Sequence, residues 1–385
     1  MKELQKIIKA FEQSKQSRQR TALATVVKTT GSVYRRPGAR MLLSDDGQMI
    51  GAISGGCLEN DVFERAQSLM FYSGTPTVVT YDTTSDEDIV KGFGLGCNGA
   101  VHVLLESLCD ARANSHLEFI GECFSQNQLG VIATIFYIEG ETQVKVASRL
   151  FLKQDGTVAI DIEDHNFAQK VLQDAQQVLQ KKRSCVKSYS LTNGLAEVFL
   201  EFIQPLVPLL IFGAGHDAIP VVDCAKHLGW NVTVIDNRPG YTTRDRFPNA
   251  DNIIFCDPED LEVHLTLNSR MVAVVMTHKY LYDLALLPIL LSSPLRYVGI
   301  LGPKTRTQKL LQDLQISGFI PTTEQLSCLY SPVGLDIGAE TPEEIALSIV
   351  AEIQAAIAHR QGSPLRERTR PIHSQDEDLK CLTSV

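Results

Sequence analysis

Residues 209–220 read LLIFGAGHDAIP. Four apolar residues bounded by a glycine suit a strand buried on both faces of a parallel sheet. The turn that follows, Gly213-Ala214-Gly215-His216-Asp217-Ala218, is a GxGxxA pattern ahead of a helix expected from Ile219 to Leu228. Gly213 permits the tight turn, Gly215 lets a pyrophosphate approach the backbone, and Ala218 keeps helix and strand close. The helix N-terminus then favours the phosphate charge. His216 and Asp217 stand where the backbone meets that phosphate, and His216 reads as a turn residue before it reads as a catalyst. A second strand, VTVID at 232–236, ends on Asp236, 21 residues after Gly215. A carboxylate there accepts hydrogen bonds from ribose hydroxyls and repels a 2′-phosphate. The same residues also fit a glycine turn that holds no ligand.

Further strands follow at 271–278, MVAVVMTH, and 297–302, YVGILG, with helices between them. The alternation predicts a doubly wound, Rossmann-like domain. Its ligand would sit at the carboxyl ends of the strands. That places Thr277, His278 and Asp283 beside Lys304 and Arg306, an acid/base histidine and two cations for a phosphate. A solvated histidine and a solvated helix start fit equally well. Near the C-terminus, Thr341, Pro342 and Glu344 spell a capping box with proline at the first helical position, the mark of a well-capped docking helix.

Upstream, the chain repeats itself. Thr25, Arg40 and Gly47 recur as Thr134, Arg149 and Gly156, each 109 residues on. ARMLLSDDGQMIGAI at 39–53 faces SRLFLKQDGTVAIDI at 148–162, and AVHVLLE closing at Glu106 matches AEVFLE closing at Glu201. Asp46-Gly47 and Asp155-Gly156 signal equivalent hairpins. Repeats at about 22–106 and 130–204 therefore predict an α+β domain whose halves share one sheet or pack face to face. The copies differ at two glycine turns. Where the first reads GGCLEN around Cys57, the second reads DHNFAQ, and the loop GLGCNG around Cys97 falls where the second copy is shorter. The cysteines are thus additions to the scaffold. Cys57, after two glycines and before a helix, suits an accessible thiol of lowered pKa. Either thiol could meet a soft metal or carry sulfur. Glu59 is placed to cap or orient the Cys57 turn. Arg35, Arg36 and Arg40 make a basic turn able to hold a phosphate.

At 385 residues the chain exceeds one ordinary core. The expected division is 1–204, 205–360 and a polar tail at 361–385, with Pro205 and Pro208 at the first boundary. A net charge of −9 argues against nucleic acid or an anionic membrane as partner. Nine cysteines without regular spacing, and an N-terminus without an apolar core, lead us to expect a cytoplasmic protein with free thiols and no metal-ligand cluster.

These residues resemble a known family. TTGSVYRRPGARML, GAISGGCLEND and GLGCNGAVHVLLE look like motifs of the XdhC/CoxI family. FGAGHDAIP, VIDNRP, VMTHKYLYD, YVGILGPKTR and SPVGLDIGAETPEEIALSIVAEI look like its Rossmann domain. The resemblance implies an accessory factor, a cofactor chaperone rather than a turnover enzyme. Such a factor binds the molybdenum cofactor (molybdopterin), supports its sulfuration and delivers it to a molybdenum hydroxylase such as xanthine dehydrogenase. It implies Cys57 and Cys97 at the site, the hydroxylase apoenzyme and a cysteine desulfurase as partners, and a homodimer. NAD or another nucleotide would fill the Rossmann cleft. Two departures stand out: Asn98-Gly99 where the usual pattern has two glycines, and Arg35-Arg36 in a turn more often carrying prolines. An NAD-dependent oxidoreductase using His278, and a non-catalytic scaffold, remain the rival readings.

Overall fold

A computed structural model describes residues 2–68, 74–82, 98–109 and 111–369. The chain forms two compact units, Met1–Leu206 and Val207–Val385. In the first, α1 (Lys2–Ser17) leads into β1 (Thr21–Ser32), β2 (Arg40–Ser44), β3 (Met49–Gly51), α2 (Glu59–Ser68), β4 (Thr77–Asp82) and β5 (Asn98–Ser107). The order then repeats as α3 (Ala111–Ser125), β6 (Gly130–Gly140), β7 (Arg149–Lys153), β8 (Val158–Ile160), α4 (His165–Lys181), β9 (Cys185–Leu191) and β10 (Gly194–Ile203). The copies make separate five-stranded sheets of identical topology, β3-β2-β1-β5-β4 and β8-β7-β6-β10-β9. The sheets are not continuous. The repeat also starts earlier than residues 22 and 130, because α1 and α3 sit at the same offset.

The inner faces of the sheets pack on each other. Val27 and Phe136, equivalent in the two copies, are each the extra residue at a bulge in the antiparallel ladder. Both enter one buried cluster with Leu104, Ala147 and Phe199. Beside it lie two reciprocal ion pairs. Arg40 of the first copy donates to both carboxylate oxygens of Glu201 in the second, at 2.7 Å through Nη1. Arg149 of the second donates to Glu106 of the first. Each arginine also reaches its own turn, Arg40 to the Gly38 carbonyl at 3.0 Å and Arg149 to the Ala147 carbonyl at 3.2 Å. Burial works to lower the Arg40 pKa, but Glu201, with help from Glu106, holds it above its ordinary value.

Outer faces take one helix each: α2 supplies Val62 and Ala66, and α4 supplies Phe167, Val171, Ala175 and Val178. The α1 and α3 helices cover the rest of the inner surface. There His116 of α3 takes the position that Ile7 has in α1. Burial, then the charges of Arg149 and Arg40, hold its pKa well below the usual value.

In the second unit, β11 (Pro208–Phe212), α5 (Ala218–His227), β12 (Asn231–Asp236), β13 (Asn252–Phe255), β14 (Val272–Val275), α6 (Tyr280–Ser292), β15 (Tyr297–Ile300), α7 (Lys304–Ile316), β16 (Leu329–Tyr330) and α8 (Pro342–Ile357) build a Rossmann-like domain. Its parallel sheet has the order β13-β12-β11-β14-β15-β16, the doubly wound arrangement. Side chains alternate across it. Leu209 and Ile211 pack towards α5 and α8, while Leu210 and Phe212 pack towards α6 and α7. Strands β13 and β16 are additions to the four expected; both are short and partly exposed, so neither carries a long apolar run. The α8 cap forms as read: Thr341 Oγ accepts from Glu344 N at 3.4 Å, and Glu344 accepts from Thr341 N at 3.0 Å.

Two outcomes follow for the first unit. Arg40→Met leaves Glu201 buried without its partner and should cost about 3–5 kcal/mol of stability, read as a lower urea midpoint by circular dichroism. His116 stays neutral in the fold, whereas the unfolded chain protonates it below about pH 6.5. Stability should therefore decline as pH falls through that value, by up to about 1.4 kcal/mol per pH unit from this group. Urea midpoints from pH 7.5 to 5.5 should fall less steeply in His116→Leu.

Candidate functional site

The Cys57 turn runs between β3 and α2. Glu59, the first residue of the helix, folds back over it. Its Oε1 accepts from Ser54 N at 2.8 Å and Ile53 N at 3.2 Å; its Oε2 accepts from the Ser54 hydroxyl and from Leu58 N at 3.2 Å. Burial pushes the Glu59 pKa up, but the Ser54 and backbone donors outweigh it, so the carboxylate is held below its ordinary value. Ser54 Oγ in turn accepts from Gly56 N at 3.1 Å and Leu58 N at 3.2 Å, and the Cys57 thiol lies 3.6 Å from it. Glu59 thus orients the turn from within. The thiol itself is exposed, and no atom lies within 4 Å of where a Gly56 Cβ would stand.

The basic turn lies against the same segment. A Cβ built on Gly55 would meet the Tyr34 ring at 3.8 Å, and Tyr34 is 67% exposed. Tyr34, Arg35, Arg36 and Glu3 line a cleft of about 300 Å³ against α1. Arg35 is ion-paired with Glu3 across it. Arg40 is corrected: it is 4% exposed and its guanidinium is committed to Glu201, so it joins the repeats instead of holding a ligand. Cys97 lies outside the described residues. The described chain resumes at Asn98, opposite Ser32, and Gly99 faces Gly31. A Cβ on Gly99 would fall 2.0 Å from the Thr30 carbonyl, so glycine is required. The end of β1 therefore adjoins both the basic turn and the entry to β5. Tyr34 and Ser54 escaped the sequence reading; both stand inside the quoted motifs, but only the fold shows the ring against the turn.

In the second unit, Gly213 has φ +116°, and a Cβ would fall 2.4 Å from the Met276 carbonyl. The strand, turn and helix are as expected, and α5 starts at Ala218. The ligand contacts are not. Asp236 is 4% exposed. It accepts from Ala214 N at 2.7 Å, from Arg238 N at 2.9 Å and from the Arg238 guanidinium. Burial raises its pKa, but Arg238 and these amides prevail and lower it. A carboxylate so saturated does not face a ribose. Asp217 makes no capping bond; one oxygen overhangs Gly215, 2.2 Å from where a Cβ would be, and the other bonds His278 Nε2 at 2.6 Å. A pyrophosphate at this turn would meet a negative charge, so Asp217 does not serve as a phosphate contact. His216 is exposed beside it, and its carbonyl takes Ile219 N at 3.3 Å as a turn residue.

Thr277 is buried and donates to Asp283, which pairs with Arg306 at 2.6 Å. This trio anchors α6 and α7 and leaves Thr277 unavailable to a ligand. Lys304 is exposed at the first turn of α7. The cleft beside these strand ends, about 500 Å³, is lined by Asn237, Asp257, Lys279 and Tyr280 among others, none of them foreseen. Arg238, two residues past Asp236, lies 4.2 Å from the Tyr241 ring. Among the described residues no group of three metal-ligating side chains occurs, and no helix is long and apolar enough to cross a membrane.

Glu59→Gln removes the charge that gathers four donors. The first unit should lose about 1–3 kcal/mol, and an aromatic disulfide reagent should label Cys57 faster in a background with Cys97, Cys109 and Cys381 replaced by alanine. Unchanged labelling would mean the turn keeps its order without the carboxylate.

Comparisons with known proteins agree with this architecture. A model of the XdhC and CoxI family matches residues 14–82 and 123–190, and one of the XdhC Rossmann domain matches 209–353. The chain is 36% identical over 338 residues, 88% of its length and 93% of the relative's, to a Bacillus subtilis protein named as a probable xanthine dehydrogenase subunit. It is 21% identical over 340 residues, 88% and 84% of the two lengths, to the molybdenum cofactor insertion chaperone PaoD of Escherichia coli. A crystal structure described as a xanthine dehydrogenase from Bacillus halodurans superposes with a TM-score of 0.74 at 32% identity, covering 94% of this chain and 98% of that one. With both its repeated domain and its Rossmann domain matched, the chain belongs to the XdhC and CoxI family.

Proposed function

We propose that the protein is an accessory factor for a xanthine-dehydrogenase-type molybdenum hydroxylase, and that its cargo is the molybdenum cofactor. The observation that carries this is the exposed Cys57 thiol, held on a braced glycine turn beside the Tyr34–Arg36 cleft. A pterin that bears a dithiolene-bound metal and a phosphate calls for a soft donor, an aromatic surface and guanidinium groups. Cys57, Tyr34, Arg35 and Arg36 supply that set, and the open side of Gly56 leaves room for it. A relative named as a molybdenum cofactor insertion chaperone supports the same reading.

In this scheme Cys57 and Cys97 meet the metal or its sulfur, and Arg35 and Arg36 hold the phosphate. Glu59 and Ser54 keep the Cys57 turn in shape. Sulfuration of the cargo is supplied by a cysteine desulfurase, delivery is to the hydroxylase apoenzyme, and a homodimer is the working form. The Rossmann unit, with Lys304, His278 and the cleft lined by Asn237 and Lys279, serves as a second station for a nucleotide portion, with no phosphate on the Gly215 turn that Asp217 overhangs. There the buried Asp236 plays no direct part.

Co-expression with a molybdopterin source should yield protein carrying molybdenum and pterin. The double variant Cys57→Ala, Cys97→Ala should retain at least about tenfold less at unchanged melting temperature, because both cysteines are additions to the fold. Wild-type loading of that variant would defeat the assigned roles.

A further inference from the structure

At the amino ends of the Rossmann strands, away from the glycine turn, β14 and β15 begin side by side with Val272 opposite Tyr297. Arg270 stands two residues before the one, and Arg296 one residue before the other. Both side chains are partly buried. Arg270 Nη1 and Arg296 Nε and Nη2 are shielded from solvent and have no hydrogen-bond partner. The mount is rigid: Asn268 Oδ1 accepts from Arg270 N at 3.1 Å, and the Asn268 carbonyl from Met271 N at 3.1 Å.

Arg40 has the carboxylate of Glu201, Arg149 that of Glu106, Arg238 that of Asp236 and Arg306 that of Asp283, while the half-buried Arg246 donates to the Ala214 carbonyl at 3.0 Å. Among the described residues no such bond or carboxylate serves the guanidiniums of Arg270 and Arg296. Burial lowers both pKa values, and the charge of Arg270 lowers that of Arg296 further, with no acid opposing either. Two partly desolvated like charges without a counter-ion are unfavourable. The arrangement becomes favourable once an anion bridges them.

We propose that Arg270 and Arg296 form a binding site for a small tetrahedral oxyanion of the phosphate or sulfate class. Two guanidinium forks match a doubly charged anion in both charge and donor geometry. The site is independent of the cargo reading above. Thr277 lies seven positions beyond Arg270, across β14, up to about 23 Å at the usual rise, so the site is not part of the cleft at the strand carboxyl ends.

The test uses the full chain, titrated with inorganic phosphate or sulfate against chloride at fixed ionic strength. Wild type should show a saturable rise in melting temperature with either oxyanion and none with chloride. Arg270→Gln and Arg296→Gln should each weaken apparent affinity about tenfold to a hundredfold. Without oxyanion, each should melt above wild type, since the repulsion is gone. Arg296→Lys keeps the charge and loses the fork, and should bind with intermediate affinity, which covers a glutamine variant that folds poorly. Absence of a saturable response in wild type, or a response that survives in both glutamine variants, overturns the proposal.

Discussion

The first unit depends on two arginine–glutamate pairs that cross from one repeat to the other. Each arginine is buried and has its acid in the opposite copy. In the packed unit each buried cation has its counter-ion in the other copy, and separating or rotating the copies would break both pairs at once. The pairing therefore sets how the copies face each other. The equivalent bulges at Val27 and Phe136 then press apolar side chains into the space between the sheets. Everything at the Cys57 turn is mounted on one side of that frame. Arg40 makes the point: its position in a basic sequence suggested a ligand, yet the frame claims it.

Much of the architecture was legible in the residues. Short apolar runs, closed by glycine at β11, by Asp236 at β12 and by Thr277-His278 at β14, gave the central Rossmann strands, because strands buried on both faces need no polar alternation. Asp-Gly pairs gave the hairpins, and Thr341 with Glu344 gave the α8 cap. The short edge strands β13 and β16 were not legible, since little of either is buried. The α3 helix was missed as the counterpart of α1 because the copies share a buried face and few identities: Ile7 in one is His116 in the other. For the site, the turn chemistry of Cys57 and Glu59 could be read from spacing, whereas the contact between Tyr34 and Gly55 joins segments some twenty residues apart and needs the fold.

The second unit teaches a different lesson. Its glycine turn has the strand, helix and acid that spacing predicts, yet the acid is consumed by Arg238 and the turn is overhung by Asp217. A motif fixes backbone geometry more firmly than it fixes a ligand. Whether a carboxylate faces solvent or the neighbouring guanidinium depends on Arg238, two residues beyond the pattern. The direction of both carboxylates, Asp236 and Asp217, is set by such neighbours and not by the glycines.

The crossed pairs have one more consequence. A surface in which each half supplies what the other lacks is isologous, the type of contact that joins two identical protomers about a twofold axis. A gene encoding one such half would yield a product complete only as a pair. Joining two halves in one polypeptide keeps that contact and releases the halves from identity. One can then diverge freely in its loops while the other goes on supplying the counter-charges.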